Sequence, residues 1–127
     1  MKFYLIVALG SGIGGMLRYY ISDLVQRYSS SLLPYGTLTV NVIGSFVIGL
    51  VLFYLDSIKI ISSEMRLFLT VGLCGGLTTF STFSFETVKL IQDSEYLLAG
   101  TNVLLNVLVT LLAVLLAAFI SRLVIGG

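Results

Sequence analysis

Residues 72–86 read GLCGGLTTFSTFSFE, from Gly72 to Glu86. An apolar run beginning at Leu67 leads into the paired glycines Gly75 and Gly76. Four hydroxyl side chains follow (Thr78, Thr79, Ser81 and Thr82), with Phe80 and Phe83 three residues apart among them. A helix in hydrocarbon keeps its backbone closed, because each unpaired N–H or C=O there costs several kcal/mol. Adjacent glycines let the backbone open, and small hydroxyl residues can satisfy the groups released. Irregular backbone at membrane depth is tolerated where it lines a cavity or binds an ion. The stretch therefore predicts a helix broken at mid-membrane and marks the functional centre.

The flanking chain fits a membrane setting. Of 127 residues, 57% are hydrophobic and 10% charged, against about a quarter charged in soluble domains. Seven basic and six acidic residues leave a net charge of +1, which offers no surface for nucleic acid. Histidine is absent and Cys74 is the one cysteine, so zinc, haem and Cys–His chemistry lack ligands within one chain. With no nucleophile–base pair either, an enzyme is not expected. Lys2 precedes an apolar run, but no small-residue cleavage pattern follows a polar segment, so a retained first membrane helix is expected.

A crossing needs about 20 residues, and charges and turn residues divide the chain into spans of about 3–26, 34–55, 65–91 (broken near about 75–79) and 96–123. This predicts an all-α integral membrane protein with four transmembrane helices in a single transmembrane domain, residues 1–127. Lys2, Lys59, Arg66 and Arg122 fall on one side, and Arg18, Arg27 and Lys89 on the other. The positive-inside bias nearly cancels. That permits insertion in both orientations and an antiparallel homodimer, or one orientation fixed by one or two charges. Four short helices do not easily enclose a polar path behind an apolar exterior, which favours oligomerisation. Gly10, Gly14 and Gly44 with Ser45 are the expected contact positions between copies.

Asn41 stands among Val40, Val42 and Ile43, sharing a face with Thr37, Gly44 and Ser45. Asn102, Asn106 and Thr110 recur every four residues in the last helix. Ser81, Thr82, Ser84 and Glu86 continue the polar pattern past the break. Interhelical hydrogen bonds explain single hydroxyls, at about 0.6 kcal/mol each. Asn41 and the Asn106/Thr110 pair together point to a polar path. No carboxylate sits mid-helix, as a cation or proton path would require. Amides, hydroxyls, the Arg18 charge and the positive ring edges of Phe80 and Phe83 suit a small anion instead. Carbonyls exposed around Gly75–Thr79 suit a static monovalent cation.

Gly14-Gly15-Met16-Leu17-Arg18-Tyr19, Asn41 with Gly44 and Ser45, and GGLTTFSTF at residues 75–83 together resemble the Fluc (CrcB-type) fluoride channels. The likeness covers the whole chain in length, helix number and motif order, and the GGLTTFSTF block is its most specific part. The resemblance implies a dual-topology homodimer in the inner or plasma membrane, with two pores that export fluoride passively. It implies pore-lining roles for Phe80 and Phe83, donation to the ion by Asn41, and polar contacts from Ser81, Thr82, Asn106 and Thr110. Arg18 would draw anions to a vestibule. Carbonyls of Gly75 and Thr78 from both subunits would hold a central sodium ion (Na+). Glu86 has no evident place, since a carboxylate repels fluoride unless protonated or paired. Two other readings stand beside this one: a small multidrug exporter, for which helix one offers only Asp23 as an embedded carboxylate, and a structural subunit that uses its polar residues as glue.

Overall fold

The computed structural model describes residues 1–127, all of its regular structure helical. Helix α1 is Lys2–Ser29 and α2 is Tyr35–Leu55, whose last turn, Val51–Leu55, widens to π geometry. Helix α3 spans residues 63–77 and contains a longer π segment, Phe68–Cys74. Helix α4 is Phe80–Gln92 and α5 is Tyr96–Gly126. With α3 and α4 counted as one span, Ser63–Gln92, four spans are long and apolar enough to cross a membrane. Leu104, Leu108, Leu112 and Leu115 are exposed on α5, an apolar exterior suited to lipid contact.

The largest packing surfaces are α2 against α5 and α1 against α3. The second is a glycine seam. Gly10 and Gly14 on α1 face Gly72 and Gly76 on α3, and the backbones touch. A Cβ on Gly10 would come 2.9 Å from the Gly72 Cα, and one on Gly76 would come 3.0 Å from the Gly15 nitrogen. Small residues four apart on both helices permit this approach.

Two expectations are corrected here. Gly10, Gly14 and Gly44 are buried within one chain, the last against the Thr78 methyl group, rather than free for a second copy. The pattern shows that a helix comes close without saying which one. In addition, Gly75 and Gly76 are helical, and no glycine has positive φ. Gly76 serves the seam with α1 and does not open the chain.

Polar groups tie the loops. Pro34 precedes α2 and offers no side-chain cap, so Gln26 supplies one from α1. Its Oε1 accepts from Gly36 N–H at 3.1 Å, and its Nε2 donates to the Ser31 carbonyl at 2.9 Å. Ion pairs sit at the helix ends: Lys2–Glu64 (3.4 Å), Arg66–Asp56 (3.3 Å), Arg27–Asp23 (2.7 Å) and Lys89–Asp93 (3.6 Å). Exposed pairs of this kind contribute about 1 kcal/mol or less.

Candidate functional site

Between α3 and α4 two residues are extended, Thr78 (φ −89°, ψ 158°) and Thr79 (φ −152°, ψ 122°). Thr79 caps α4, its Oγ1 accepting from Thr82 N–H at 3.1 Å. Hydroxyl N-caps of this geometry contribute about 1 kcal/mol. The other side of Thr79 belongs to Asn41 on α2. Thr79 N–H donates to Asn41 Oδ1 at 2.8 Å, and Asn41 Nδ2 donates to the Thr79 carbonyl at 3.2 Å. The carboxamide thus replaces a helical turn, satisfying a backbone N–H and C=O that would otherwise be stranded.

Two of these bonds, Thr79 N–H to Asn41 and Thr82 N–H to Thr79 Oγ1, release two carbonyls. In a continuous helix Thr79 N–H would close on the Gly75 carbonyl, and Thr82 N–H on that of Thr78. Both donors are engaged elsewhere, with Asn41 Oδ1 and Thr79 Oγ1. Gly75 and Thr78 therefore each keep an oxygen without its helical partner, beside one groove. Carbonyl oxygens are suitable ligands for a hard cation, so these two residues fit the sodium ion the resemblance implies.

Asn41 also donates to Asn106 Oδ1 on α5 at 3.0 Å. Asn106 Nδ2 in turn donates to the main-chain carbonyl and the Oδ1 of Asn102, both at 3.0 Å. Asn102 Nδ2 donates to Thr87 Oγ1 on α4 at 2.9 Å. Thr110 bonds back to the Asn106 carbonyl. Asn102 and Thr87 were not among the residues the sequence pattern put on the route. The signal for Asn102 was its place one turn before Asn106, and Thr87 carried none.

Two cavities flank the extended pair. The larger, about 460 Å³, is lined by Asn41, Gly75, Thr78, Phe80, Phe83, Asn106 and Thr110, with Gly44 and Ser45 among others. The rings of Phe80 and Phe83 lie 5.4 Å apart at 59°, so that one tilts its edge toward the other. Phe83 is buried, whereas Phe80 is 79% exposed. The smaller cavity, about 340 Å³, is lined by Arg18, Ser22, Thr37 and Thr82 with their neighbours. Thr79 borders both. The structure thus groups seven of the expected site residues on one side of Thr79 and puts Arg18 and Thr82 on the other. Ser81 is exposed, lines neither cavity, and sits 3.3 Å from the Thr79 hydroxyl.

Fixed charge is sparse. Arg18 Nε and Glu86 Oε1 are buried without a hydrogen-bond partner. Neither side chain belongs to the ion pairs at the helix ends. Asp23, the carboxylate an exporter would need, is paired with Arg27.

Residues 5–118 match the family described as CrcB-like protein, Camphor Resistance (CrcB). A Paramagnetospirillum magneticum protein named fluoride-specific ion channel FluC is 48% identical over 106 residues, covering 82% of this chain and 83% of that protein. The Pelobacter propionicus protein of the same name is 45% identical over 127 residues, covering 100% of this chain and 98% of its own length. The Pyrococcus abyssi protein, again so named, is 48% identical over 107 residues, covering 84% and 85%. With the family match spanning most of its length, this chain belongs to the CrcB family.

Proposed function

We propose that this chain is a fluoride-selective channel, a passive conduit rather than an enzyme, which lowers cytoplasmic fluoride across the inner or plasma membrane. The observation that carries the reading is the clamp of Asn41 on the extended pair, between a phenylalanine pair and an amide stripe. Fluoride is small, strongly hydrated and a strong hydrogen-bond acceptor, so it needs donors that replace water at close range. One Asn41 N–H is committed to the Thr79 carbonyl, which holds the amide in place. The other points at Asn106 Oδ1, and a passing fluoride takes that donor by displacing one neutral acceptor. Thr110 in the larger cavity and Thr82 in the smaller supply further hydroxyl contacts, and the edges of Phe80 and Phe83 limit the radius. Arg18 gathers anions in the smaller cavity. Efflux from liposomes, read with a fluoride electrode beside a chloride control, tests this: fluoride release without chloride release is expected, and equal release or none would refute it.

The working unit in this reading is an antiparallel homodimer with two pores and the break at mid-membrane. An exposed Phe80 beside an open groove, and the near-balanced charge on the two sides, support it. The freed Gly75 and Thr78 carbonyls of two copies would hold one sodium ion, a fixed positive charge joining the two breaks. Light scattering in detergent should give a protein mass of twice 13.8 kDa; a monomer that still conducts would rule the arrangement out. Replacing Phe80 or Phe83 with isoleucine keeps the bulk apolar and removes the ring edge, worth about 1 kcal/mol or more. Fluoride efflux should fall about tenfold, and full efflux in both variants would take the rings out of the mechanism.

A further inference from the structure

We infer that Asn102 is a positioning residue for fluoride passage, which holds the Asn106 amide with its oxygen toward Asn41 and is itself held by Thr87. The inference rests on the channel reading above. Its starting point is that the two ends of a carboxamide differ little in shape, so its partners decide which way it faces.

The donors form one directed chain. Thr79 N–H donates to Asn41 Oδ1, Asn41 Nδ2 to Asn106 Oδ1, Asn106 Nδ2 to Asn102 Oδ1, and Asn102 Nδ2 to Thr87 Oγ1. The Thr87 hydroxyl then donates to the Phe83 carbonyl at 2.8 Å. Every link points the same way, from the cap of α4 through α2 and α5 back to the first turn of α4. Aligned bonds of this kind polarise one another.

Asn102 is where this order is enforced. It is 1% exposed, so each polar end must find a partner inside the protein. Thr87 spends its proton on the Phe83 carbonyl and offers a lone pair, which only the Asn102 NH2 can use. Asn102 Oδ1 must then face α5, where it and the Asn102 main-chain carbonyl present two acceptors to Asn106. A flipped Asn106 would put its oxygen against both and its NH2 against that of Asn41. The Asn106 oxygen that faces the Asn41 donor is therefore held from Thr87, through a residue that lines neither cavity.

The test is a mutant cycle read as fluoride efflux from liposomes, on protein that elutes as a single species. Asn102→Leu and Thr87→Val should each slow efflux about tenfold, the cost of stranding a buried amide group. Thr87→Ser, which keeps the hydroxyl, should stay within about twofold of the parent. Because Asn102 acts through Asn106, the double variant Asn102→Leu/Asn106→Leu should be no more than about twofold slower than Asn106→Leu alone. Losses that multiply would mark Asn102 as structural only and overturn the inference, as would unchanged efflux in Asn102→Leu and Thr87→Val. An Asn106→Leu variant with parental efflux would overturn both the inference and the route. A slow Asn106→Leu beside a fast Asn102→Leu would overturn the inference alone. Should Asn102→Leu not fold, the cycle is run with Thr87→Val and Asn106→Leu, and the same outcomes decide.

Discussion

Replacing Asn41 with leucine is expected to reduce fluoride efflux from liposomes by about a hundredfold or more, the largest loss from any single side chain in the site. The change deletes three hydrogen bonds, two to the Thr79 backbone and one to Asn106. A buried N–H or C=O left without a partner costs about 1–3 kcal/mol, and each 1.4 kcal/mol is about tenfold. Thr79 then loses the partner that replaces its missing helical turn, and Asn106 loses the donor its oxygen faces. Thermal unfolding should shift downward as well, because the extended pair is no longer satisfied. Asn41→Asp separates the two effects: its carboxylate still accepts from Thr79 N–H but offers no donor to an anion. It should keep more of the stability than leucine and conduct no better. Wild-type efflux in the leucine variant would disconnect the clamp from conduction.

Gly14→Val is expected to abolish recovery of folded protein. A Cβ at position 14 would overlap the Leu73 carbonyl oxygen and lie 2.8 Å from the Leu77 nitrogen and 3.1 Å from the Gly76 carbonyl carbon. These are main-chain atoms, so no rotamer change relieves the clash and α1 must lift away from α3. Overpacking of a closed interface costs about 1–3 kcal/mol and more where backbone must move. The larger valine should therefore exceed what a marginally stable fold tolerates. Gly100→Ala is the control, since nothing lies within 4 Å of its added carbon. Yield and melting temperature in detergent distinguish the two. A Gly14→Val protein with parental values would show that α1 is not seated on α3.

What could be read from the sequence was what depends on one segment at a time. Four apolar spans follow from hydropathy and turn residues, because a helix in lipid satisfies its own backbone and needs no distant partner. Asn41 stood out because a primary amide among Val40, Val42 and Ile43 is costly unless paired. Its partner did not stand out, because Thr79 lies 38 positions away and receives the amide through its main chain, which leaves no side-chain signature. The partners of the glycines are hidden for a related reason. Gly10 and Gly14 announce a close approach, but only tertiary structure says that Gly72 and Gly76 are opposite. The extended residues prove to be the threonines after the glycine pair, held by a side chain from α2 rather than released by backbone freedom. Asn102 was visible as part of a four-residue rhythm, yet its role depends on the direction of each hydrogen bond.

The matched glycine pairs on α1 and α3 also act as a ruler. Both pairs are spaced by four residues and run in the same direction, so only one sliding position brings both together. A shift by one turn either way would leave one glycine of each pair facing a residue with a side chain, or the end of α3. The level of the two threonines along the bundle axis is thus dictated by the first helix, long before the chain reaches them.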